Sequence, residues 1–248
     1  MRALVWNWLH LLQCNVSNQY SGRDEDAVNK PWRPIASGRV SPATALQLRW
    51  LLPILCITLS AMYGERVVMA SVSLTIATIL YDELAFASHW FTKNLVSAMG
   101  CVILEAGTTM LMRTCLDYTT LIMPCQHRRL RVGDNTRLDK VAIRSLLYSL
   151  SLVTSTIHCS DFPDIDGDKA QGRVTLPILH PKGSRVAFLI AVVAWSWYLA
   201  RAWKLGPLSA VAFVVFGMYI GWRVVAHAGP KVDKTSYKLY NVRMVYRM

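Results

Sequence analysis

Four carboxylates fall within eight residues: Asp161, Asp164, Asp166 and Asp168, followed by Lys169, Arg173 and the run Thr175-Leu176-Pro177. At about 100° per residue, a helix would gather Asp161, Asp164 and Asp168 within about 60° of arc and turn Asp166 away. Carboxylates so gathered repel one another unless a cation lies among them. Hard oxygen donors that leave positions open to water and phosphate oxygens suit Mg²⁺. Lys169 and Arg173, one turn apart, add positive charge for the phosphate itself. A Ca²⁺ loop of the EF-hand kind is excluded: counted from Asp164, its sixth and twelfth positions require Gly and Glu and hold Lys169 and Thr175. A solvated charged turn is the plain alternative for mixed acids and bases.

A second knot of charge lies far upstream, from Asn18 to Arg39. Asp24, Glu25 and Asp26 form its acidic part; Lys30, Arg33 and Arg39 form its basic part. Pro31 and Pro34, on either side of Trp32, stiffen the backbone there and oppose a helix. Taken alone, this stretch reads as an anion and metal site. The six histidines show neither HExxH nor paired spacing, and His158, three residues before Asp161, is the one within reach of the acidic stretch.

The elements that must position these residues are apolar helices. Charged residues are 17% of the 248-residue chain and hydrophobic ones 53%, against about 25% charged in ordinary soluble domains. Apolar segments fall at 3–20, 47–63, 67–82, 94–112, 139–158, 184–203 and 207–227, and at roughly 20 residues per crossing they amount to about seven transmembrane helices. Glu105 and Ser149 inside such segments suit helices lining a polar cavity, and Pro53 is tolerable where neighbouring helices satisfy the freed carbonyl. The net charge of +12 comes from basic residues flanking apolar runs. That pattern fits anionic head groups or a phosphorylated substrate and excludes nucleic acid, whose binders carry their basic patch on a polar face.

Counting crossings puts 21–49, 83–93, 159–185 and 228–248 on one face with 15 Lys and Arg, against 9 on the other. The bias makes the first face cytosolic. It also places both charged stretches on that face, where they could build one site. Six cysteines without a CxxC pair argue against a zinc site or a disulfide framework. The polar run 13–18 lacks a small-residue cleavage pattern, so the first segment reads as a helix that stays.

At this point the two stretches resemble the UbiA superfamily of intramembrane prenyltransferases. The family's second motif, Asp-x-x-Asp-x-x-x-Asp followed by Gly-Arg and Thr-Leu-Pro, matches Asp161, Asp164, Asp168, Gly172, Arg173, Thr175, Leu176 and Pro177. Its first motif, Asn-Asp-x-x-Asp-x-x-x-Asp followed by Asn-Lys-Pro-x-Arg-Pro and Ser-Gly-Arg, aligns without gaps from Asn18 to Arg39. There the chain departs from the pattern, since Gln19 and Gly22 stand at two of the three aspartate positions. Asp24 and Glu25 are the candidates to compensate; on a helix Glu25 projects about 20° from Asn18. The wording of this motif is similar to the fungal branch that includes membrane-bound sesquiterpene cyclases of bergamotene formation. The resemblance runs over roughly 3–112 and 135–242.

The resemblance implies an all-α, polytopic transmembrane helical bundle over 1–248 with a central cavity capped by the two motif loops. It implies Mg²⁺ held by Asn18, Glu25, Asp26, Asp161, Asp164 and Asp168, the last three being the catalytic acids. A prenyl diphosphate, farnesyl diphosphate foremost, would bind through Lys30, Arg33, Arg39, Lys169 and Arg173. Tyr81, Trp90 and Tyr148 are placed to offer aromatic faces to an allylic cation, or to anchor at the membrane interface; Asp82 and Glu83 lie on the same side. The expected location is an endomembrane such as the endoplasmic reticulum, with the motif loops in the cytosol. Against the nine helices usual in the family this chain reads as short at both ends, with 113–134 as an inserted loop and 228–248 as a C-terminal tail. Three readings stay open: a terpene cyclase, a prenyltransferase acting on an aromatic or polyketide acceptor, and an inactive relative. A lipid-binding or transporter-like membrane protein is the non-enzymatic alternative. Oligomeric state is not legible.

Overall fold

The structure, a computed structural model, describes residues 1–120 and 137–245. Each of the seven apolar segments is a helix: α1 (Arg2–Ser21), α3 (Pro42–Ala61), α4 (Glu65–Asp82), α5 (Trp90–Thr120), α6 (Lys140–Thr156), α9 (Pro181–Ala202) and α10 (Pro207–Ala226). Shorter helices, α2 (Arg23–Asn29), α7 (Ile165–Ala170) and α8 (Leu176–Leu179), carry the two charged stretches, and α11 (Pro230–Val245) follows α10. Among the described residues there is no strand. The insertion expected over 113–134 falls mostly outside them: α5 runs on to Thr120, and 121–136 lie beyond. Within the stretch expected as a C-terminal tail, 228–248, Pro230–Val245 is helical. Pro230 supplies a helix-ready first position, and Asp233 accepts from the Gly229 N–H at 3.1 Å.

Four helices are long and apolar enough by themselves to cross a membrane: α3, the Trp90–Arg113 part of α5, α9 and α10. Their starts are written locally. Ser41 caps α3 by accepting from the Thr44 N–H at 3.1 Å, and Pro42, Pro181 and Pro207 stand in the first turns of α3, α9 and α10.

The chain divides into two compact units. The first comprises Met1–Phe86 and Val96–Leu150. Here α1 and α4 carry matching polar stripes, which makes both less apolar than a lone spanning helix. Trp6 Nε1 donates to Ser60 at 2.8 Å, His10 Nε2 pairs with Ser71 at 2.7 Å, Gln13 donates to Thr75 at 3.1 Å, and Ser17 donates to Asp82. In a membrane such side-chain bonds between helices replace the hydrophobic effect, which has nothing to expel there. Trp6 is fully buried, and α5 approaches it through Gly107, where a Cβ would fall 2.2 Å from the indole.

The second unit comprises Ala87–Leu95 and Ser151–Met248. Phe188 and Val192 of α9, Ile220 and Val224 of α10 and Tyr240 of α11 form its core with Cys159 and Phe162. Gly217 and Gly221, four apart on α10, let α9 come close: a Cβ on Gly221 would lie 3.0 Å from the Leu189 backbone. Arg185 joins α9 to α11 through a two-pronged pair with Asp233 at 2.8 and 2.7 Å.

Candidate active site

The acidic stretch of the second unit is not one helix. After α6 the chain makes two 3-10 turns, Ile157–Ser160 and Phe162–Asp164, and only then enters α7. Pro163 interrupts the donor pattern that a continuous helix needs. The arc expected from helical periodicity therefore does not form as drawn. Asp161 (3% exposed) and Asp168 (0%) are buried, Asp164 is half-buried, and Asp166 is exposed.

What brings Asp161 and Asp168 to one point is Lys93, near the start of α5. Its ammonium lies 2.9 Å from Asp161 Oδ1 and 3.4 Å from Asp168 Oδ2. Arg173 Nη1 approaches Asp168 Oδ1 at 3.4 Å from the other side. The backbone explains the convergence. Gly172 adopts φ +67°, a left-handed conformation natural to glycine, and reverses the chain after α7. Val174 N then donates to the Ser88 carbonyl at 2.8 Å, beside a parallel bridge between His89 and Val174. This short splice ties the acidic turn to the segment leading into α5, and so to Lys93.

Burial pushes the Asp161 carboxyl above its ordinary range, Lys93 pulls it back, and the neighbouring Asp168 charge pushes it up again. Its Oδ2 is buried without a hydrogen-bond partner among the described residues. A carboxylate oxygen left that way is positioned to take a cation. Among the described residues no three His, Cys, Asp or Glu side chains converge into a ready-made metal cage. Mg²⁺ needs none: it is commonly held by one or two carboxylates, with water and substrate phosphates completing its shell. Asp161 and Asp168 fit that pattern. The Thr175 hydroxyl is also fully buried without a hydrogen-bond partner among the described residues. Lys169 is exposed. His158 is a packed histidine: its Nε2 donates to the Ser184 carbonyl at 3.1 Å, its ring lies edge-on to Phe162 and Phe188, and burial lowers its pKa.

In the first unit, the turn from α1 to α2 passes through Gly22, where a Cβ would press on the Asn18 carbonyl at 3.0 Å. Glu25 and Asp26 are buried and Asp24 is exposed. Arg33, expected at a phosphate, holds Asp26, with Nη1 2.8 Å from both carboxylate oxygens. Arg39 is exposed and braces its own loop, donating to the Trp32 carbonyl and to Ser37 Oγ at 3.0 Å. Lys30 and Asn18 are half-buried. Asn18 also lines a cavity of about 340 Å³ between α1, α4 and α5. Asn18, Tyr81 and Asp82 stand at one end of it, and Leu11, Leu74 and Leu104 lie about two turns away along the same helices. Trp90 and Tyr148 are half-buried.

Three charged residues outside the two motifs matter to these sites and escaped the motif search. Lys93 holds the Asp161–Asp168 pair, and Arg49, buried on α3, pairs with Glu83 at 2.5 Å beneath the Tyr20 ring. The third, Asp82, lies outside both motifs and is, with Glu83, a candidate site residue from its place on the motif side. The available signal for Lys93 was its charge inside an otherwise apolar helix, which marks function or a partner by default.

The described residues thus combine helices long and apolar enough to cross a membrane with a buried carboxylate pair bridged by a lysine. The model of the UbiA prenyltransferase family matches residues 2–242, and the chain belongs to that family. It is 30% identical over 243 residues to the diterpene cyclase eriG of Hericium erinaceus, covering 96% of this chain and 70% of the relative. It is 27% identical over 241 residues to the fumagillin beta-trans-bergamotene synthase of Aspergillus fumigatus, covering 97% and 76%. A UbiA homolog from Archaeoglobus fulgidus, solved bound to DMAPP and Mg²⁺, shares the fold with a TM-score of 0.66 at 12% identity, over 100% of this chain and 86% of that one.

Proposed function

We propose that the protein is a Mg²⁺-dependent terpene cyclase that ionises a prenyl diphosphate, farnesyl diphosphate foremost, and closes a C–C bond within the released chain. The observation that carries this reading is the buried Asp161–Asp168 pair gathered on Lys93, with one oxygen of Asp161 still unmatched. Two acids desolvated to this degree are costly unless cations meet them, and a diphosphate brings Mg²⁺ with it. The cyclase names of the two fungal relatives support intramolecular closure over transfer.

In this reading Asp161, Asp164 and Asp168 of the second motif would hold Mg²⁺, and so would Asn18, Glu25 and Asp26 of the first. A metal bound at either motif would supply charge that neutralises diphosphate oxygens. Lys30, Arg33, Arg39, Lys93, Lys169 and Arg173 supply the remaining positive charge. The cavity beside Asn18 keeps the hydrocarbon chain from water, and Tyr81 offers its ring to the allylic cation. The excess of Lys and Arg on the motif-bearing loops supports a cytosolic site in an endomembrane.

The test is chemical. Membranes containing the full chain, given farnesyl diphosphate and Mg²⁺ with no acceptor, are expected to yield a cyclic hydrocarbon detected by gas chromatography. Turnover only after a phenolic acceptor is added would convert the reading to a prenyltransferase, and a C20 diphosphate used in preference would move the substrate up one isoprene unit.

A further inference from the structure

Both C–C bond-forming reactions of a prenyl cation share an unavoidable last step. The cation that remains after bond formation must shed a proton. The C–H bond next to the cationic carbon breaks, its electron pair becomes the new C=C bond, and the proton leaves on a base. Where no water molecule takes the proton, this base is part of the cavity wall or the departed diphosphate.

We infer that Asp82 is that base. The inference rests on the functional reading above and adds to it a residue that belongs to neither acidic motif. Asp82 ends α4 and lines the cavity of the first unit, whose ionisable lining is otherwise Cys14, Cys101 and Tyr81. Thiols and phenols are protonated near neutral pH and cannot accept a proton there, whereas a carboxylate can. Its neighbour Glu83 faces Arg49 at 2.5 Å. Asp82 accepts at Oδ2 from the hydroxyl of Ser17, a buried residue of α1. Ser17 directly precedes Asn18, so one turn of α1 both steers Asp82 and presents the start of the first motif to the same cavity. After accepting the proton, the neutral acid returns it to the diphosphate as product leaves.

The experiment compares two quantities in the same membranes: diphosphate released and C–C-bonded product formed by proton loss, the olefin. Wild type is expected to give about one product per diphosphate. For D82N, which keeps an acceptor for Ser17, diphosphate release is expected to stay within about threefold, while product per diphosphate falls by about 10²-fold, the low end of what a positioned base contributes. A C–C-bonded alcohol, formed when water captures the late cation, makes up the difference. D82E, which restores a carboxylate, is expected to restore the ratio. An unchanged ratio in D82N overturns the inference and leaves the functional reading standing, as does a parallel loss of both quantities in D82N and D82E. No diphosphate release by wild type overturns the functional reading, and the inference with it.

Discussion

The Lys93 ammonium sits 2.9 Å from Asp161 and 3.4 Å from Asp168, although Lys93 precedes Asp168 by 75 residues in the chain. The lysine is 11% exposed at its side chain and the acids 4% and 0%. Charges this buried are strongly coupled, because little water screens them.

Replacing Lys93 by Met leaves both carboxylates without their shared cation. Breaking a buried pair from one side costs about 3 to 5 kcal/mol. We predict for K93M a marked drop in the thermal midpoint of the detergent-solubilised protein and loss of turnover. K93R keeps the charge and should recover most of the stability. A K93M midpoint equal to wild type would contradict the pairing.

The acids of the second motif should separate by burial. D161N and D168N are expected to lose about 10²-fold or more in diphosphate release, comparable to losing one electrostatic element of an active site. D166N, on an exposed side chain, should stay within about twofold, as surface substitutions do. Parallel kinetics on the three variants check this, and a D166N loss as large as that of D168N would reject the assignment.

Gly172 tests the splice between the acidic turn and α5. An alanine at φ +67° costs about 1 to 2 kcal/mol, with open space around its Cβ. We expect G172A to weaken the Val174–Ser88 pairing and to raise the apparent KM for the diphosphate severalfold, with the fold retained. Unaltered kinetics would separate the splice from the site.

Gly107 tests the core of the first unit. A Cβ there would fall 2.2 Å from the Trp6 ring, which is fully buried and has nowhere to swing. G107A should destabilise by about 1 to 3 kcal/mol, read as increased protease sensitivity in membranes. G107A combined with W6F, which removes part of the obstructing ring, should recover some of that loss.

Much of this site was legible in the linear chain, for a physical reason. Asp161, Asp168, Gly172 and Arg173 act within one local turn, so their spacing already encodes the geometry. The apolar segments announced their helices in the same way, through burial in lipid or protein. Lys93 was not legible because its role depends on a backbone pairing between Ser88 and Val174 that no local pattern signals. The helical arc drawn through Asp161, Asp164 and Asp168 does not form: 3-10 turns around Pro163, rather than a continuous helix, set the positions of Asp161 and Asp168 beside Lys93. Helix α11 lies in the stretch expected as a C-terminal tail, and its charged residues fasten it. Asp233 pairs with Arg185, and Arg243 is buried over the Phe213 ring.

The central claim is that the Asp161–Asp168 pair drives ionisation of a prenyl diphosphate, and diphosphate release from farnesyl diphosphate measures it most directly. Wild-type membranes are predicted to release diphosphate in a manner abolished by chelating Mg²⁺, and D161N and D168N membranes with equal amounts of folded protein to release about 10²-fold less. Release by the variants at the wild-type rate, or none by wild type from either farnesyl or geranylgeranyl diphosphate, would contradict the account.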